Sequence, residues 1–235
     1  MKTLSIIIPA YNEEKTIIQL LQKVIDVNLI AEIQKEIVIV DDCSEDTTEK
    51  IVQKFINSHL SEKISLIKQD RNQGKGAAIR KGLESITGDY VIIQDADLEY
   101  NPEDYNVLLK TFLDKNLKVI YGSRFLNKEN KHSYQTFYVG GRIVTYIANI
   151  LFNQHLTDEP TCYKFFDAAF LKSIPLKCKK FEFCPEVTAK VAKRGIKIKE
   201  VPVRYYPRLM EEGKKIRWTD GVAAMGTLLK YRFTN

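Results

Sequence analysis

Five short apolar runs recur through the first half of the chain, at residues 4–8, 37–40, 64–67, 90–93 and 119–121. Each is apolar at successive positions rather than alternating, the pattern of a strand buried on both faces of a parallel sheet. Helical periods fill the gaps between them. Ile17, Leu20, Leu21, Val24 and Ile25 follow the i, i+3, i+4, i+7, i+8 stripe, with Asn12 expected as the cap. Ser44 and Asp46, with Glu49 three positions beyond Asp46, open a second helix. Gly82 and Gly88 punctuate the approach to the fourth strand. Strand and helix in alternation predict a Rossmann-like, doubly wound α/β layer: a mainly parallel central sheet with helices on both faces.

The pattern changes near residue 125. A polar loop leads into an amphipathic helix over 139–152, with Ile143, Ile147, Ile150 and Leu151 as large apolar residues. A short helix is expected after Asp167, and another from Pro185, a first-turn residue, to Gly195. A strand over 196–203, a Lys/Arg-rich loop and a last helix over 218–231 complete the pattern. With no linker in sight, 1–235 reads as one domain, with halves of about 1–124 and 125–235. At 44% hydrophobic and 28% charged residues, the composition excludes wholesale disorder.

The first apolar run is too short for a signal peptide, and nothing approaches the roughly 20 apolar residues that span a bilayer. The four cysteines lack paired spacing, so reduced thiols and a cytoplasmic setting are expected rather than a zinc or disulfide framework. The net charge of +6 is unevenly placed. Residues 176–235 carry 15 Lys/Arg against 6 Asp/Glu, whereas 1–175 carry 21 against 24. Such a basic segment is either a solvated surface or a face for phosphates or anionic membrane. Nothing calls for a nucleic-acid partner.

Ligands of an open α/β sheet bind outside the carboxyl ends of its strands. Polar clusters stand at four such ends: Pro9-Ala10-Tyr11-Asn12-Glu13, Asp41-Asp42-Cys43-Ser44, Gln94-Asp95-Ala96-Asp97-Leu98-Glu99 and Gly122-Ser123-Arg124. One cluster could be helix caps; four at one edge predict a binding site. Asp95 and Asp97, one residue apart in a turn, offer hard oxygens suited to Mg²⁺ or Mn²⁺ shared with substrate phosphates.

Ser5-Ile6-Ile7-Ile8-Pro9-Ala10-Tyr11-Asn12-Glu13-Glu14, Ile39-Val40-Asp41-Asp42-Cys43-Ser44, Asn72-Gln73-Gly74-Lys75-Gly76-Ala77 and Asp95-Ala96-Asp97-Leu98 appear in that order. Together they resemble glycosyltransferase family 2, most closely its dolichyl- and polyprenyl-phosphate mannose and glucose synthases. The resemblance implies the nucleotide-sugar transferase fold of GT-A type. It also implies an inverting, metal-dependent transfer of a hexose from a nucleotide-diphosphate sugar. On it, Pro9, Tyr11, Glu13, Ile39, Asp41, Asp95, Ala96, Asp97, Arg124, Arg208 and Lys214 bind the donor. Asp95, Asp97 and Glu99 form the metal corner, with Mg²⁺ or Mn²⁺ as cofactor. Arg124, Arg142 and Thr145 meet the acceptor phosphate, and Arg208 and Lys214 resemble a mobile basic pair that closes over the diphosphate.

Asp97, Arg124 and Asp158 are the catalytic candidates. Asp158 opens Asp158-Glu159-Pro160-Thr161-Cys162-Tyr163, similar to the family's Asp-x-x-Thr-Gly-Phe but with Cys162 and Tyr163 in place of Gly-Phe. It reads either as a general base or as a structural hydrogen-bond acceptor. An anionic lipid-phosphate acceptor needs no base, whereas a saccharide hydroxyl needs one, for which Asp158 or Glu159 would serve. The first alternative brings peripheral contact with the cytoplasmic membrane surface through the 139–152 stripe and the basic tail. The second places the chain in cell-surface polysaccharide synthesis. A catalytically silent nucleotide-sugar-binding module is the third reading.

Overall fold

A computed structural model describes residues 1–131, 134–208 and 218–234. The helix and strand elements run β1 (Thr3–Ala10), α1 (Ile17–Asp26), β2 (Gln34–Asp41), α2 (Thr48–Ser58), β3 (Ile64–Lys68), α3 (Lys75–Ser85), β4 (Tyr90–Ile93), α4 (Tyr105–Asp114) and β5 (Val119–Ser123). The second half continues with α5 (Gln135–Phe152), β6 (Lys164–Asp167), α6 (Ala168–Lys172), α7 (Phe183–Lys193), β7 (Lys199–Pro202) and α8 (Trp218–Phe233). All five expected apolar runs are strands. They belong to one seven-stranded sheet of order β3-β2-β1-β4-β6-β5-β7, with helices on both faces.

β1 pairs in parallel with β2 and β4, β2 with β3, and β5 with β7. Residues Ile6, Ile7 and Ile8 are fully buried, as are Leu20, Leu21 and Val24 of α1. At about 25 cal/mol per Å² of apolar surface, this layer is where burial contributes most to stability. α3 lies close against β1: a Cβ on Gly82 would stand 2.7 Å from Cγ2 of Ile7, so no larger residue fits without displacement.

β6 was not anticipated. It runs antiparallel between β4 and β5, and its sequence, Lys-Phe-Phe-Asp, hides its place because the lysine is wholly buried. Its direction matters for function. An antiparallel strand begins at the edge where its parallel neighbours end, so residues 158–163 arrive at the expected binding edge. Asn12 does not cap α1, since Thr16 holds that position and Asn12 adopts φ 50°. Its side chain instead accepts from the Glu45 amide at 2.8 Å, joining the loops after β1 and β2. α7 starts two residues before Pro185, and β7 is shorter than the expected 196–203. Beside the sheet, α5, α7 and α8 share a smaller core of Val144, Ala148, Phe152, Ala189, Leu228 and Tyr231.

The opposite, amino-terminal edge is held by one carboxylate. Glu36 of β2 accepts from Ser5 Oγ at 2.5 Å, the Thr87 amide and hydroxyl at 2.7 Å each, and the Gly88 amide at 3.1 Å. Lys63 stands 2.7 Å away. Burial opposes its charge, but Lys63 and these hydrogen bonds outweigh that and bring its pKa down from 4.5 to about 2. A depressed carboxylate stabilises the fold above its unfolded pKa and loses that effect as pH falls towards its folded one. Urea unfolding should therefore show Glu36→Gln less stable at neutral pH by about 1–3 kcal/mol. The difference should shrink between about pH 4.5 and 2 as the parent carboxylate protonates.

Candidate functional site

Strand direction gathers the polar clusters at one edge, and hydrogen bonds between loops set their positions. Glu13 donates its amide to Thr48 Oγ1 at 2.9 Å, and Asn12 donates its amide to Ser44 Oγ at 2.9 Å. Asp42 accepts from the Gln73 and Gly74 amides at 2.8 and 2.7 Å and from the Gln69 side chain at 2.7 Å. Burial raises its pKa, although these bonds favour the carboxylate. Asp42 thus delivers Gly74 and Lys75 to the site, a positioning role the sequence reading did not assign. Gly74 is required where it stands, at φ 94° with the Lys179 carbonyl 2.7 Å from any Cβ.

Gln94 steadies the acidic loop. Its carbonyl oxygen accepts from Tyr105 and Tyr163 hydroxyls at 2.6 and 2.7 Å, and its amide donates to the Asp95 carbonyl at 2.9 Å. The chain then turns sharply, with Leu98 in the left-handed region at φ 63° and the Glu99 amide donating to Asp97 Oδ1 at 3.1 Å. Asp95 is ion-paired with Lys75, whose ammonium also approaches Cys162 Sγ at 3.9 Å. Burial disfavours the Lys75 charge, but Asp95 overrides it and raises the pKa. Asp97 meets Nη2 of Arg208 at 3.0 Å, and Nη1 of the same guanidinium lies 3.6 Å from Glu13. Arg208 Nε is buried and has no hydrogen-bond partner among the described residues.

Glu99 has both oxygens engaged, one by Tyr205 Oη at 2.9 Å and the other by the Arg208 amide at 2.8 Å. In this arrangement the three carboxylates of the expected metal corner each have partners of their own. Among the described residues, no three acidic, histidine or cysteine side chains converge to hold an ion. Asp95 and Asp97 fit a divalent cation as a pair of hard oxygen donors, with phosphate oxygens needed to complete the sphere. Burial and the neighbouring charges of Asp95 and Glu99 push the Asp97 pKa up to about 7, against the pull of Arg208. A cation there would relieve that repulsion.

Arg124 follows β5 and grips Asp158: Nε and Nη2 each lie 2.7 Å from a carboxylate oxygen, and its amide donates to Oδ2 at 2.9 Å. Burial opposes the guanidinium charge, yet Asp158 more than compensates and holds the pKa well above its ordinary value. The guanidinium also lies over the Tyr205 ring, 5.1 Å from its centroid. Asp158 is in turn held through the backbone. Glu200 accepts from the amides of Thr157 and Asp158 at 2.6 and 3.0 Å.

Three expected ligand contacts are not open in this arrangement. Ile39 is fully buried within β2 and belongs to the main hydrophobic core. Asp41 is likewise fully buried and spends its carboxylate on Ser44. Thr145 donates its hydroxyl to the Gly141 carbonyl at 2.8 Å and accepts from the Glu159 amide at 3.0 Å, inside the α5 contact rather than at the edge. Arg142 donates to the carbonyl of Thr157, the neighbour of Asp158, at 3.1 Å and lies over the Phe125 ring. Ala96 is buried beneath the acidic turn, while Pro9 and Tyr11 are partly exposed beyond the core of β1. Lys214 lies outside the described residues.

The family model described as glycosyl transferase family 2 matches residues 5–174. A UDP-N-acetylglucosamine–dolichyl-phosphate N-acetylglucosaminyltransferase from Methanococcus voltae is 31% identical over 219 residues, covering 86% of this chain and 85% of its own. Dolichyl-phosphate beta-glucosyltransferase ALG5A from Trichomonas vaginalis is 30% identical over 86% of this chain, which spans 65% of that relative's length. In fold, the chain is similar to glucosyl-3-phosphoglycerate synthase from Mycobacterium tuberculosis, solved with Mn²⁺, UDP and phosphoglyceric acid. The TM-score is 0.74 at 17% identity, over all of this chain and 80% of that one. With the sheet order, the ordered edge clusters and a family match across most of its length, the chain belongs to glycosyl transferase family 2 and is a glycosyltransferase.

Proposed function

We propose that this enzyme moves a hexose, mannose or glucose, from a nucleotide-diphosphate sugar to a polyprenyl or dolichyl phosphate, with inversion and with Mg²⁺ or Mn²⁺ at Asp95 and Asp97. The observation that carries this reading is the state of the two candidate bases. Asp158 is fully buried and bound at two points by Arg124. Glu159 is also fully buried and accepts from Thr188 Oγ1 at 2.8 Å. Neither is placed to take a proton from an incoming hydroxyl. An acceptor that arrives already anionic needs no such group. The names of both curated relatives, which contain dolichyl phosphate, support the same acceptor class.

In this mechanism a phosphate oxygen of the acceptor forms the bond to the anomeric carbon as the bond to the nucleoside diphosphate breaks. A bound divalent cation supplies charge neutralisation to that leaving group. Lys75 and Arg208 are the cations already at the corner, and they add phosphate-facing charge there. Arg124 commits two of its three nitrogens to Asp158, which fixes the plane of the guanidinium. The third suits a phosphate oxygen better than a freely rotating ammonium would. Preorganised charge of this kind stabilises a departing anion without reorganisation during the step.

A lipid acceptor also needs a way to meet the membrane. No helix among the described residues is long and apolar enough to cross one. α5 and α8 pack together and leave Val139, Ile143, Tyr146 and Ile150 on one helix, and Trp218, Val222, Leu229 and Phe233 on the other, exposed. Lys230 and Arg232 flank the second set. An exposed apolar face edged by basic residues fits the interface of an anionic bilayer.

Incubation with a short polyprenyl phosphate, Mn²⁺ and a panel of nucleotide sugars should yield a lipid-linked sugar, with EDTA abolishing turnover. Equal turnover on a saccharide hydroxyl would overturn the acceptor assignment. Arg124→Lys should lower kcat/KM by about 100-fold, the scale for losing one preorganised donor. Asp158→Asn should reduce turnover while leaving the acidic limb of the pH–rate profile in place; a base at Asp158 would make that limb disappear. In vesicle sedimentation, Tyr146→Ser with Ile150→Ser should weaken binding to anionic liposomes by roughly tenfold or more, from the apolar area removed.

A further inference from the structure

Lys75 opens α3, and its backbone is fixed on both sides. Asp42 accepts from the Gly74 amide at 2.7 Å, and the segment before α7 holds the amides of Gly76 and Ala77. Gly76 donates to the Lys180 carbonyl and Ala77 to the Lys179 carbonyl, at 2.9 Å each. The approach is close, since a Cβ on Gly76 would stand 2.7 Å from the Lys180 oxygen. Residues 177–180 are thus a ledge on which the first turn of α3 rests, and Glu186 of α7 holds that ledge. The Glu186 carboxylate is buried and accepts from the Lys177 amide at 2.8 Å and the Cys178 amide at 2.6 Å, one on each oxygen. The oxygen that meets Lys177 also accepts from Lys190 Nζ at 2.5 Å and from Tyr231 Oη of α8 at 2.8 Å. Lys190 lies over the Tyr231 ring, 4.4 Å from its centroid, and donates to the Pro175 carbonyl.

We propose that Glu186 is a positioning residue for the donor side of the site. It holds residues 177–180 against α3 and so sets Lys75, and through Tyr231 it makes the seating of α8 part of the same unit. The two backbone amides need a carboxylate between them. A glutamine offers one acceptor oxygen and one NH2 group, so either the Lys177 or the Cys178 amide would face a donor and go unsatisfied. Loss of that bond frees the ledge, and Lys75 then meets the donor phosphates from a wider set of positions. α8 thereby has a task apart from its exposed apolar face, because Tyr231 lies on its buried side. This inference rests on the reading of Lys75 as a cation that faces the donor phosphates.

Hydrogen exchange and donor kinetics on the full chain test it, the kinetics with a short polyprenyl phosphate and no vesicles. In Glu186→Gln, exchange at the Gly76 and Ala77 amides should rise by about tenfold while the amides of β1 keep the parent rate. Tyr231→Phe should show part of the same rise. With the donor that is turned over, GDP-mannose or UDP-glucose, kcat/KM should fall by about tenfold in Glu186→Gln. The acceptor KM should stay within about twofold of the parent, whereas a general loosening of the fold would move both. Lys75→Met should lower the donor kcat/KM by about tenfold or more. Adding Glu186→Gln to Lys75→Met should cost nothing further, because both act through one ammonium. Parent exchange at Gly76 and Ala77 in either Glu186→Gln or Tyr231→Phe would overturn the inference, as would donor losses that multiply in the double variant. An unchanged kcat/KM in Lys75→Met would sink the donor role of Lys75 itself and leave the hold of Glu186 on α3 to be judged by exchange.

Discussion

Parallel strands bring Glu13, Asp95, Asp97 and Glu99 to one sheet edge and the antiparallel β6 brings Asp158 there too, and carboxylates so gathered repel one another unless cations are interleaved. The chain supplies them from three separate elements: Lys75 at the start of α3 for Asp95, Arg124 after β5 for Asp158, and Arg208 after β7 for Asp97 and Glu13. The compensation is incomplete at Asp97, whose pKa of about 7 records burial beside two like charges. An edge in this condition is prepared for a ligand that carries both phosphate and a hard cation.

The surrounding contacts serve that arrangement. Asp42 brings Lys75 in, Gln94 steadies the acidic turn between two tyrosine hydroxyls, and Glu200 holds the backbone at Asp158. Asp42 and Gln94 are buried and all three are hydrogen-bonded, so the charged side chains they carry need little rearrangement to meet a phosphate. The apolar face of α5 and α8 lies outside this edge, stabilised by a core of its own.

Much of the fold was legible because long-range order here follows from a short-range signal. Apolar runs with no alternation require burial on both faces, and helical stripes between them require crossovers, so the parallel sheet follows. β6 escaped because its first residue is a buried lysine, stabilised by the Glu159 carbonyl at 2.5 Å and the Tyr121 ring at 3.7 Å, and no local pattern announces such partners. Asn12 looked like a cap because asparagine often is one; a cross-loop bond to Glu45 took its side chain instead. The edge clusters were found, but the burial of Ile39 and Asp41 was not, since strand residues near an end can face core or ligand and sequence alone does not say which.

Residue order alone determined the α/β layer, the edge at which the polar residues gather, the Asp95–Asp97 pair and the family resemblance. These depend on composition within a strand and its following loop, which a linear pattern records. Only the tertiary structure decided that Asp158 is held by Arg124, that Glu99 turns to Tyr205 and Arg208, and that Thr145 is spent inside the α5 contact. Each of those outcomes depends on a partner 34 to 109 positions away or on a burial set by another element. Charge pairing and desolvation act through space, so the carboxylates' roles were settled by what folded against them.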